Sequence, residues 1–69
     1  MKATVQDIKD AQLVINSINE RVLANSPPTP EKVELCEQYI TSLADIGLCA
    51  SSVAVEEALN CWCELLINA

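Results

Sequence analysis

The segment Asn25-Ser26-Pro27-Pro28-Thr29-Pro30 constrains this chain more than any other. Two adjacent prolines cannot continue a helix, and each drives the residue before it toward extended geometry. The chain must therefore fold as separate pieces joined by a short, stiff connector. The connector's last residues also restart a helix. Thr29 suits the N-cap, Pro30 the first helical position, and Glu31 the positive end of the dipole.

Upstream, Thr4 is a candidate N-cap, with Asp7 three residues on making a variant of the capping box. Ile8, Ala11, Ile15, Ile18 and Val22 recur at steps of 3, 4, 3 and 4, with Val14 beside them. At about 3.6 residues per turn they form one apolar stripe, which predicts a helix over about 5–24. Leu13 falls well off that stripe, and Leu23 sits at its edge.

Downstream, Val33, Cys36, Ile40 and Leu43 mark a second helix over about 30–46, flanked by Leu35, Tyr39 and Ile46. The single glycine, Gly47, ends it. With Gly47 at C′, Leu48 falls at C″ opposite Leu43, the Schellman arrangement. A third helix, over about 52–67, is expected to be capped by Ser51 or Ser52, with Glu56 and Glu57 near its positive end. Its stripe is Val55, Leu59, Trp62, Leu66 and, at the end, Ala69, widened by Ala58 and Leu65. Val53 and Ile67 project elsewhere. No segment alternates with period two over strand length, so no sheet is expected. The expected fold is all-α, a single domain over 1–69: a three-helix bundle, or a helical hairpin plus a third helix.

Core size is the difficulty. A 69-residue chain buries only about 60% of its unfolded surface, and natural chains of this size are often supplemented by disulfides, metals or oligomerisation. Tyr39 and Trp62 are the only aromatic residues, so aliphatic side chains and cysteine must fill most of the core. Trp62, at the centre of its stripe, is expected as a core or interface anchor. Every predicted helix also carries apolar residues outside its stripe. We therefore expect a symmetric homodimer, associating through Leu13, Leu35, Tyr39, Ile46 and Ile67.

The charge is unevenly distributed. Residues 1–32 hold four bases and four acids, whereas Val33 to Ala69 holds six acids and no base, accounting for the net charge of −6. The uncompensated acids are Glu34, Glu37, Asp45, Glu56, Glu57 and Glu64. Direct nucleic-acid binding needs Lys and Arg to displace counterions, so it is not expected. An acidic surface prefers a protein partner with a basic face, and Glu34, Glu37, Glu56, Glu57 and Glu64 are the expected partner-binding residues.

Catalytic and metal chemistry find little support. There is no histidine, so the commonest general base and metal ligand is missing. Cys36, Cys49, Cys61 and Cys63 lack the close pairs of a zinc site, and on a helix Cys61 and Cys63 point roughly 160° apart. Reduced cysteines acting as small hydrophobes are expected, with no metal and no cofactor. The helical carboxylates read as solvated faces, and the chain offers no room for a pocket. Asp45-Ile46-Gly47 followed by Ser52-Val53 loosely resembles the acyl carrier proteins, which are small, acidic and helical. In that family the attachment serine follows the Asp-x-Gly segment almost at once. Here Ser51 and Ser52 come later without a preceding aspartate, and the similarity covers under a quarter of the chain.

The expectation is a non-enzymatic interaction module: an adaptor, inhibitor or regulatory subunit of the kind found among bacterial and phage accessory proteins. Mimicry of DNA charge toward a nucleic-acid-binding protein is one alternative, and a structural subunit of a larger helical assembly is another. The polar N-terminus and the absence of a run of roughly 20 apolar residues lead us to expect a cytoplasmic protein that does not enter a membrane.

Overall fold

The structure, a computed structural model, describes residues 2–68. It is all-helical, with three helices: α1 (Val5–Leu23), α2 (Pro30–Asp45) and α3 (Cys49–Ile67). Among the described residues there is no strand. Ala69, expected at the end of the third stripe, lies outside them.

Local chemistry sets each helix end. The Thr4 hydroxyl accepts from the Asp7 backbone N–H at 3.2 Å, and the Asp7 carboxylate accepts from the Thr4 N–H at 2.7 Å. This closes the capping box with aspartate in the usual glutamate position. Thr29 accepts from the Lys32 N–H at 3.3 Å, and Pro30 opens α2, where its missing N–H costs nothing. At the other end, Gly47 has φ +88°. Its N–H donates to the Ala44 carbonyl at 3.1 Å and that of Leu48 to the Leu43 carbonyl at 2.8 Å, a full Schellman motif.

Two features of the ends differ from expectation. α1 closes with a second Schellman motif, in which Asn25 takes the left-handed conformation at φ +53°. Its N–H donates to Val22 and that of Ser26 to Arg21. Asparagine is the usual substitute for glycine at this position. α3, in turn, starts at Cys49, so neither Ser51 nor Ser52 caps it. Leu48 serves as both C″ of α2 and N-cap of α3, which shortens the connection to Ile46-Gly47-Leu48 and makes a serine cap unnecessary. Ser52 is buried within the helix and donates to the Cys49 carbonyl at 2.8 Å. Glu56 and Glu57 consequently lie beyond the first turn, where the dipole has faded.

The three-residue turn makes α2 and α3 an antiparallel hairpin. α1 lies beside α3 with their C-terminal portions together, because Trp62 of α3 meets Arg21 and Ser26 at the end of α1. α1 and α2 each pack on α3 while their backbones stay apart. The bundle is elongated, 40 × 18 × 17 Å. Its radius of gyration of 12.1 Å exceeds the value of about 11 Å usual for this chain length.

The core is small: Ala11 and Ile18 from α1, Leu43 from α2, and Val55, Ala58, Leu59 and Trp62 from α3. α3 supplies more than half of it, being the helix that both others cover. Ile15, Val22, Val33, Cys36 and Ile40 of the stripes pack half-buried against it, and two further stripe residues stay exposed. Ile8 is 51% exposed near the start of α1, and Leu66 is 49% exposed in the last turn of α3. Both sit toward the ends of a bundle in which no helix is covered along its whole length. Cys63 and Leu65 are half-buried against the core near the end of α3.

Candidate functional site

The separation of α1 from α2 leaves a groove of about 380 Å³, so the expectation that the chain has no room for a pocket is overturned. Its walls are Leu13, Val14, Ser17 and Ile18 from α1 and Leu35, Cys36 and Tyr39 from α2, with Trp62 contributed by α3. Arg21 and Lys32 stand together at the end where the proline connector crosses. The connector explains the gap. With Pro28 buried, α1 closed by Asn25 and Ser26 bonded to Trp62, the connector runs against α3 on its way from α1 to α2.

Trp62 organises this end of the groove. It is 4% exposed, and its indole N–H donates to the Ser26 carbonyl, a contact across 36 residues of sequence. The Arg21 guanidinium lies over the indole ring, 5.8 Å from its centre, and donates to the carbonyl and hydroxyl oxygens of Ser17. Stacking and hydrogen bonding together hold a cation at an apolar wall. Sequence periodicity found the tryptophan but not its partners, because the pairing depends on where the connector passes.

At the other end, Tyr39 is half-buried, and its phenol is pushed above the ordinary value of 10.0 by burial first, then by the nearby carboxylates of Asp10 and Asp7. Cations thus line one end of the groove, and beyond its other end, past Tyr39, lie the carboxylates of Asp10 and Asp7. Cys36 is half-buried in the wall, and burial pushes its thiol above 9.0. Neighbouring Cys63 adds to that rise, while Lys32 and Arg21 oppose it. A thiol held in its neutral form is a poor nucleophile. Among the described residues, no three Cys, Asp or Glu side chains converge as a metal site would require, and no helix is long and apolar enough to cross a membrane.

The residues expected to mediate self-association fall into three places. Leu13 and Leu35, 64% and 57% exposed, face each other across the groove with Tyr39. Ile46 is the C-cap of α2 and packs half-buried against the core, so it offers little free surface. Ile67 is exposed at the last residue of α3, away from the groove.

The acidic residues occupy the other flank. Glu34, Glu37, Glu56, Glu57 and Glu64 are all exposed. Glu37 and Glu56 meet across a second groove of about 300 Å³ between α2 and α3, which also includes Ile40, Thr41, Leu59 and Asn60. Helical spacing puts Glu57 and Glu64 together on the outward face of α3, and Glu34 one turn before Glu37 on α2. Comparison with known proteins finds no family model, no curated sequence and no solved structure that matches the chain.

Proposed function

We propose that this protein is a non-enzymatic, self-associating interaction module whose acidic flank receives a basic face of a partner protein. The observation that carries the proposal is the segregation of charge: five exposed glutamates along α2 and α3, and no lysine or arginine anywhere after Lys32. A surface of one sign attracts its opposite and raises the encounter rate more than the final affinity. The groove joining Glu37 and Glu56 gives that surface a focus, with Ile40 and Leu59 as apolar floor and two carboxylates at its edges. A lysine or arginine with its aliphatic stem fits such a cleft.

Self-association belongs to the same reading. Of the large apolar residues, Val5, Ile8, Leu13, Leu23, Leu35, Val53, Leu66 and Ile67 stay about half exposed or more in a chain whose core is already small. A second copy covering part of that surface completes the core.

The test of the partner-facing flank is comparative capture. The wild-type chain should retain a partner at about 50 mM salt and lose it at about 500 mM, where screening shrinks to a few ångströms. A Glu37→Lys/Glu56→Lys variant with an unchanged helical spectrum should lose it even at low salt. Equal capture by both proteins at both salt levels refutes an acidic docking surface.

A further inference from the structure

Along α1, Asp10, Val14, Ser17 and Arg21 follow at steps of 4, 3 and 4, so they share one side of the helix. Three of them line the groove between α1 and α2, and Asp10 continues the same stripe toward the start of α1. The stripe is thus acidic at one end, basic at the other, and apolar or small between. On α2, Lys32 adds a second cation at the Arg21 end, and neutral Tyr39 stands toward the Asp10 end. A surface whose charges are opposite about its own midpoint is complementary to itself after a two-fold rotation.

We infer that the groove between α1 and α2 is the seat of a second copy of this chain, whose α1 lies antiparallel to the first. Each Leu13 enters the other's groove, and each Asp10 faces the other's Arg21 and Lys32. This rests on the self-association reading and adds to it the face, the direction and the pairs. Leu13, well exposed beside the small Ser17, supplies the projecting side chain, and Ser17 lets two α1 helices approach closely. Arg21 engages Ser17 through a single nitrogen, Nη1, leaving its other N–H groups for an incoming carboxylate. Trp62, already hydrogen-bonded and buried, gives the seat a rigid wall. A copy of α1 laid antiparallel carries the inverted charge order by construction, with Asp10 and Arg21 at the matching distance.

The two-fold arrangement makes an unusual prediction. Asp10→Lys sets the introduced lysine against Lys32 twice in a homodimer, and Lys32→Glu sets the introduced glutamate against Asp10 twice. Asp10→Lys should dimerise about tenfold or more weakly than the wild type, since like charges face across the seat, and Lys32→Glu should weaken it less, because Arg21 still faces Asp10. Mixed together, one Asp10→Lys chain and one Lys32→Glu chain restore one full pair and leave the other neutral, because Arg21 is unchanged, so heterodimers should outnumber either homodimer in native mass spectrometry. Leu13→Glu, at an exposed position, should leave the helical spectrum unchanged and yield monomer in light scattering.

The outcomes separate the claims. A wild-type chain that stays monomeric at about 100 μM removes both this inference and the self-association reading. A wild-type dimer that Asp10→Lys, Lys32→Glu and Leu13→Glu leave intact keeps self-association and removes this seat. Weakened single variants that fail to pair with each other remove the antiparallel two-fold arrangement.

Discussion

α2 stands between two grooves of opposite chemistry. Toward α1 the walls are leucine, valine, tyrosine and tryptophan, with Arg21 and Lys32 at one end. Toward α3 the walls hold Glu37, Thr41, Glu56 and Asn60 around a smaller apolar floor. The difference follows from the two connections. Three residues tie α2 to α3, so these helices pack on each other and leave a smaller, more polar groove at their edge. The connector between α1 and α2 carries two adjacent prolines and a third that opens α2, and those two helices meet α3 instead of each other. The short turn joins two helices that pack on each other, and the stiff connector joins two that stay apart.

The largest test of this contrast is Trp62→Ala. It removes a wall of the open groove, a buried aromatic and the bond to Ser26 together, and should cost about 3–5 kcal/mol in denaturant unfolding. Such a loss in a chain this small approaches global unfolding. If stability falls by well under 1 kcal/mol, the connector is not anchored through Trp62.

Next comes the turn between α2 and α3. Gly47 has φ +88° with open space around a hypothetical Cβ, so Gly47→Ala incurs backbone strain and no clash. It should destabilise by about 1 kcal/mol. Asn25→Gly, at the equivalent position before the open groove, relieves the milder strain of a residue that tolerates φ +53° and should change stability by only a few tenths of a kcal/mol. Equal effects at the two sites would mean that the two helix ends are not under comparable constraint.

Alkaline titration sharpens the comparison from the groove side. Cys36 and Tyr39 both have raised values when folded, so their contribution to stability is whole below the unfolded values of 9.0 and 10.0. It is lost as pH rises through the higher folded values, because the unfolded chain ionises first. Stability should therefore decline above about pH 9, and less so in Cys36→Ala/Tyr39→Phe after correction for lost packing. Alkylation should mark exposed Cys49 and Cys61 before half-buried Cys36 and Cys63. The smallest effect is Leu13→Ala, expected to shift the stability of the isolated chain by no more than about 0.5 kcal/mol. Any larger loss would place Leu13 in the core of the single chain.

Much of this was legible in the residues. The apolar periodicity, the Thr4 and Thr29 caps, Pro30 and Gly47 are local signals, and each specifies its helix or end within a few neighbouring residues. The Asn25 closure was missed, although an asparagine just past the last stripe residue is a readable C′ signal. The start of α3 was misplaced because two serines mimic a cap, while the Schellman bond at Leu48 had already supplied the turn. Ile8 and Leu66 were counted as core because periodicity marks a face and is silent about whether a neighbouring helix extends far enough to cover it. The open groove was missed for a related reason: composition says how much apolar surface exists, not where two helices fail to meet.

The sequence by itself determined three helices, their polarity and the one-sided placement of acid, because these depend on contacts within a turn or on charge order along the chain. Tertiary structure alone decided that α3 is the shared centre, that Trp62 reaches back to Ser26, and that Arg21 and Lys32 line the same groove. Those depend on the path of the connector through space, and the energies that choose it come from packing between residues dozens of positions apart.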